Sequence, residues 1–279
     1  MNMKKILAFL LVFISFILGS CENKVFNNTD DWQLIWAQEF DGKTIDRNVW
    51  NFEVGNGHSK GIPGWGNAEA EYYTDGENAY IENGILVIEA RKEYRKDQYG
   101  DYSYTSTRIN TQEKFEIKYG RIEVRAKFPN GKGLWPAIWL LGSDIGKVGW
   151  PNCGEIDIVE FLGDNPNKIY GAVHGPGYSG GNGISGNYTT KNPSFTEDFH
   201  TFGVVWDDES ISFYVDDKIY HAVSKASISS RGLKWVFDKP FFIIVNLAVG
   251  GYWPGYPDNT TKFPAKMYVD YIKVWQKVK

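Results

Sequence analysis

The stretch Gly154-Glu155-Ile156-Asp157-Ile158-Val159-Glu160-Phe161 decides how this chain is read. Ile156, Ile158 and Val159 are β-branched and Phe161 is aromatic, so the segment predicts a strand. Side chains alternate faces along a strand, which puts Glu155 and Asp157 on one side. Glu160 has the wrong parity. One extra residue near Ile158-Val159, a β-bulge, would return it to the face of the other two acids. Three carboxyls so close repel one another, and at least one pKa should rise.

A row of this kind weakens a fold unless it has a task. Glycoside hydrolysis needs one carboxylate as nucleophile and one carboxylic acid as proton donor, and a third acid between them can hold the two pKa values apart. Taken alone, such a string is more often the solvated face of an amphipathic strand, so the rest of the chain must decide.

The chain has 279 residues, of which 42% are hydrophobic and 16% aromatic, ample for one core. Short β-branched and aromatic runs alternate with Gly, Pro, Asn and Asp clusters, and long helical patterns are scarce. This predicts an all-β sandwich forming a single domain over residues 32–279. Lys4 and Lys5 precede an apolar run from Ile6 to Leu18, too short to span a membrane. The run ends Leu18-Gly19-Ser20-Cys21, which resembles a bacterial lipoprotein signal cut before a lipid-bearing Cys21. Residues 1–20 are then a leader and 21–31 a tether. An exported lipoprotein held at a membrane, at the cell surface or in the periplasm, is the expectation. Cys153 has no partner if Cys21 is lipidated, and reads as a buried free thiol. The formal charge is −4, and losing the leader removes two lysines and no acid, so a nucleic-acid partner is not expected.

In chain order, Trp32 to Phe40 reads as a strand. The irregular region 42–75 follows, long enough to be functional, with Trp65 bracketed by glycines. Asn83-Gly84 predicts a type I′ hairpin turn. Strands are expected over 105–110, with Arg108, and over 120–128, where Ile122, Val124, Ala126 and Phe128 alternate with charged residues. Trp135 and Trp139 share a face by parity, where flat rings suit the C–H face of a sugar; core packing is the competing reading. Gly149-Trp150-Pro151 leads into the acid strand, and Lys168 to His174 leads out of it. The four histidines show no metal-ligand spacing, so no catalytic metal is expected. Pro240 to Val249 reads as a buried strand opening into Gly250-Gly251-Tyr252-Trp253.

These motifs together resemble glycoside hydrolase family 16, in its laminarinase-type endo-β-1,3-glucanase branch, from about Trp32 to Trp275. The resemblance rests on Glu155-Ile-Asp157-Ile-Val-Glu160, Gly64-Trp65-Gly66-Asn67, Trp135-Pro-Ala-Ile-Trp139, Gly149-Trp150-Pro151 and Asn246-Leu-Ala-Val-Gly250 through Gly255. It implies a β-jelly-roll sandwich of two antiparallel sheets with a concave carbohydrate-binding cleft. It implies Glu155 as nucleophile, Asp157 as assisting acid and Glu160 as general acid/base. Asn67, Trp65, Arg108, Trp135, Trp139, Trp150, His174, Asn246 and Trp253 match positions that bind substrate in such clefts. No cofactor is implied for catalysis; a structural Ca²⁺ is implied near Glu39, Gly84 and Asp270. The implied partner is a β-glucan, met by a monomer. Ala68 departs from the pattern, since relatives often carry a second Asn there. Mixed-linkage glucan, a red-algal galactan such as agar or carrageenan, transglycosylation, and non-catalytic glycan binding remain as alternatives.

Overall fold

The computed structural model describes residues 32–278; the leader, Cys21 and the tether lie outside them. Two antiparallel eight-stranded sheets carry the chain. One runs Ile184–Thr189, Lys168–His174, Glu155–Phe161, Leu134–Gly142, Phe241–Val249, Arg108–Asn110, Asn51–Glu53, with Glu116–Ile117 added against Phe241–Val249. The other runs Lys218–Ser224, Ser210–Val215, His200–Trp206, Gly120–Lys127, Ala265–Lys277, Ile85–Ala90, Ala79–Glu82, with Trp32–Gln38 paired to Ala265–Lys277. The chain crosses between sheets repeatedly, as from Gly120–Lys127 to Leu134–Gly142, which gives the jelly-roll connectivity.

The alternation in 120–128 is met: Ile122, Val124 and Ala126 are fully buried, while Arg121, Arg125 and Lys127 are not. The inner faces of the two sheets meet over one large core. Phe161 from the acid strand stacks at 5.1 Å on Phe128, which stacks at 5.2 Å on Phe202 of the opposite sheet. Each such ring contributes about 1.5–3 kcal/mol by leaving water. The acid strand is thereby clamped from beneath, and its outward face cannot rotate away.

The predicted turns form with the backbone their residues favour. Asn83 and Gly84 have φ of 52° and 76°, as a type I′ turn requires. Asp216 and Asp217 close the next hairpin at 45° and 63°. Two boundaries differ from the pattern. The first strand stops at Gln38, because Phe40 turns to φ 54°. The strand expected over 105–110 divides: Tyr104–Ser106 pairs parallel with Glu71–Tyr73, and Arg108–Asn110 enters the acid-bearing sheet. One continuous polar run thus serves two sheets, which alternation alone does not reveal.

Candidate active site

The predicted bulge is present. Asp157 pairs with Ala172 and Glu160 with Tyr170, so three residues of the acid strand span two of its neighbour. On the other side Trp139 pairs with Asp157 and Ile138 with Val159, leaving Ile158 as the extra residue. Ile156, Ile158, Val159 and Phe161 are all fully buried in the core. Glu155, Asp157 and Glu160 therefore share the outer face despite their mixed parity.

Cross-strand register assembles the rest. Tyr170, Glu160, Ala137, Asn246, Arg108 and Glu53 line up as successive partners across six strands. His174 lies beside Glu155, with its Nε2 3.7 Å from Glu155 Oε1 and 3.0 Å from Asp157 Oδ2. Trp150 Nε1 donates to Glu155 Oε2 at 2.9 Å, and Trp135 Nε1 donates to Glu160 Oε1 at 3.1 Å. Each outer acid thus has its own indole N–H. Trp253 packs edge-on against Trp135 at 5.5 Å and against Tyr170 at 4.9 Å, and stays 43% exposed. Trp150 is 46% exposed. Half-exposed rings flank the acids on both sides, as walls a planar sugar ring would stack upon.

Burial and the neighbouring Asp157 charge push Glu155 up to about 8. Burial also raises Asp157 to about 8, against a hydrogen bond with Glu155 that lowers it. Burial, then the Asp157 charge, holds Glu160 well above the usual carboxyl range. These shifts all favour the protonated forms. Glu160 is fitted to donate a proton, and one shared within the Glu155–Asp157 pair leaves Glu155 the freer to carry negative charge.

Arg108 is ion-paired with Glu53, which also meets Lys60. Its guanidinium lies 4.3 Å over Trp65 and 4.9 Å over Trp139. Trp65 itself is only 6% exposed, and its Nε1 donates to the Gly55 carbonyl. It supports Arg108 from beneath instead of offering a free face. Its loop is bent by four positive-φ positions in a five-residue span: Gly64, Trp65, Gly66 and Ala68. Asn67 and Asn246 are drawn in as well, Asn67 through Glu69 and Asn246 through Trp139 and Tyr73. The structure therefore brings all twelve predicted catalytic and substrate-binding residues into one neighbourhood. It adds Tyr170, whose parity with His174 was a usable signal; behind the site lie Glu69, Glu71 and Tyr73, in the irregular region where Tyr72-Tyr73-Thr74 also carries the family resemblance.

Near the residues expected to hold calcium, the Glu39 carboxylate lies 2.8 Å from Lys273 Nζ and Asp270 is ion-paired with Arg125. Backbone carbonyls were part of that expected ligand set, and calcium accepts such oxygen donors. Cys153 is buried and unpaired as expected, its thiol pushed up to about 12 by burial.

The sequence profile of glycosyl hydrolases family 16 matches residues 66–273. The chain belongs to this family. A β-glucanase of Rhodothermus marinus is 37% identical over 99% of this chain and 97% of its own length. The laminarinase catalytic domain of Thermotoga petrophila is 61% identical, superposes with a TM-score of 0.88, and is covered over its whole length by 90% of this chain. The endo-β-1,3-glucanase of Pyrococcus furiosus is 57% identical at the same TM-score, covering 90% of this chain and 97% of its own. As a family 16 chain, this protein is a glycoside hydrolase on a jelly-roll sandwich.

Proposed function

We propose that the protein is a retaining endo-β-1,3-glucanase that cuts internal bonds of laminarin-type glucans by double displacement. The bulge carries this reading, because it turns a strand of mixed parity into a one-sided row of acids between aromatic walls. The named relatives supply the linkage. In the first step Glu160, protonated, donates to the leaving glycosidic oxygen while Glu155 attacks the anomeric carbon. A water then displaces the glycosyl group from Glu155, with Glu160 accepting its proton. Asp157, hydrogen-bonded to Glu155, takes up charge repulsion between the two steps. His174, close to both Asp157 and Glu155, favours their ionised forms when it is itself charged. Trp135, Trp150 and Trp253 stack on sugar rings, and Arg108, Asn67 and Asn246 serve the polar end. The reaction needs no cofactor.

We infer also that Cys21 is lipidated and holds the enzyme at a membrane as an exported protein, on the strength of the Leu18-Gly19-Ser20-Cys21 signal. The site is complete within one chain, so the proposed catalysis needs no residue from a second copy. Incubation of Glu22–Lys279 with laminarin, mixed-linkage glucan, agarose and κ-carrageenan, followed by product sizing, tests the substrate. Short oligosaccharides from laminarin and none from the galactans are expected. Preferential cleavage of a galactan would overturn the linkage while keeping the chemistry.

A further inference from the structure

Behind the sugar-facing surface lies a second set of acids that the chemistry above does not use. Glu71 is wholly buried and Glu69 is 7% exposed. Glu69 accepts from Asn67 Nδ2 and from the Tyr73 hydroxyl, each at 3.2 Å. The same hydroxyl accepts from Asn246 Nδ2 at 3.1 Å, and Asn246 Oδ1 accepts from Trp139 Nε1 at 2.8 Å. The donors form a one-way chain, from Trp139 through Asn246 and Tyr73 to Glu69. Asn67 joins at the same end.

The partners of Glu71 are different. Its Oε2 accepts the Val249 N–H at 2.6 Å, and its Oε1 is buried with no donor. The Glu69 carboxyl is its close neighbour, near enough for the Glu69 charge to raise Glu71. Two adjacent carboxylates cannot both be ionised in a dry site. The cation facing the pair is Arg108, which Glu53 also claims. An orphaned oxygen beside a carboxylate is where a proton belongs.

We propose that Glu71 is a neutral acid donating to an ionised Glu69, and that Glu69 is a positioning residue whose charge sets the orientation of Asn67, Asn246 and Trp139 toward the glucan. The proposal deepens the glucanase reading and rests on it for its consequence in substrate binding. Burial, together with the Glu69 charge, holds Glu71 well above the ordinary carboxyl range, in keeping with the assignment.

The test compares Glu71→Gln, Glu69→Gln and Tyr73→Phe in the full chain. In Glu71→Gln the amide replaces the O–H donor and its oxygen keeps the Val249 N–H, so KM on laminarin should rise far less than in Glu69→Gln. Glu69→Gln points an amide N–H at other donors and should raise KM roughly tenfold with kcat changed less than about threefold. Tyr73→Phe cuts the chain while keeping the ring, and should raise KM about fivefold. A KM in Glu71→Gln raised as far as in Glu69→Gln would overturn the proton's location. Lower Tm with unchanged KM in both Glu69→Gln and Tyr73→Phe would overturn the positioning role.

A substrate-free readout stands beside these. The unfolded Glu71 ionises above about 4.5 and the folded one does not, so wild type loses stability as pH rises past that range. Glu71→Gln has no proton to lose, while Glu69, Tyr73, Arg108 and Glu53 are common to both proteins. The Tm of Glu71→Gln relative to wild type should therefore climb between pH 5 and pH 8; a constant difference refutes the neutral Glu71. If wild type leaves laminarin intact, the glucanase reading fails and this stability comparison still decides where the proton sits.

Discussion

Trp150→Phe isolates the electrostatics of the nucleophile. A smaller aromatic ring is kept, and with the pyrrole half of the indole goes the Nε1 donor 2.9 Å from Glu155 Oε2. That bond favours the ionised carboxylate, so its removal raises the Glu155 pKa further. Hydrogen bonds to charged groups contribute about 1.5–3 kcal/mol. Trp150 is 46% exposed, so solvent screening argues for the lower end, near 1.4 kcal/mol or one pH unit. The acidic limb of kcat/KM, which reports ionisation of the free enzyme's nucleophile, should move up by about one unit. Well below that limb the variant should lose about tenfold in kcat/KM, and on the plateau only the change in ring stacking should remain. The assay is reducing-end release from laminarin between pH 4 and pH 9, normalised to the plateau. An acidic limb that stays in place, or moves down, refutes the pairing of Trp150 with the nucleophile.

Further outcomes follow from the same geometry. His174 Nε2, Asp157 Oδ2 and Glu155 Oε1 lie within 4.8 Å of one another, so added Zn²⁺ should inhibit reversibly, EDTA should restore activity, and His174→Gln should weaken zinc binding measured by calorimetry at least tenfold. Ala68 holds φ 58°, where Asn is tolerated better than Ala; Ala68→Asn should stabilise by about 0.5–1 kcal/mol, seen as a Tm rise of about 2–3 °C. Phe161→Ala opens a cavity beneath the acid strand and should cost about 3–5 kcal/mol by urea unfolding.

The legible part of the protein was the part written in local pattern. Glu155 and Asp157 share parity, and the misplaced Glu160 announced the bulge before any coordinates did. Trp135 and Trp139 stood out by the same period, and Asn83-Gly84 by its turn chemistry. What could not be read is built from long-range register. The line from Tyr170 through Glu160 and Asn246 to Glu53 spans six strands whose order no local pattern specifies. Trp65 drew attention because glycines bracket it, yet those glycines fold it inward under Arg108. Glu69 and Glu71 sit in the irregular region 42–75, where no period marks them. They became legible only when Tyr73, Asn246 and the Val249 N–H were seen to converge on them. The calcium expectation came from resemblance alone, and it rests partly on backbone carbonyls, which no side-chain pattern marks.

The central claim is that Glu155 forms the covalent bond to sugar. A 2-deoxy-2-fluoro-β-laminaribioside with a dinitrophenyl leaving group slows breakdown of the glycosyl-enzyme, allowing it to be digested and sequenced by mass spectrometry. The account predicts one added disaccharide, on Glu155, in the peptide that also contains Asp157 and Glu160. A label on Asp157 or Glu160, or an enzyme that turns over the leaving group while never carrying the sugar, would contradict it.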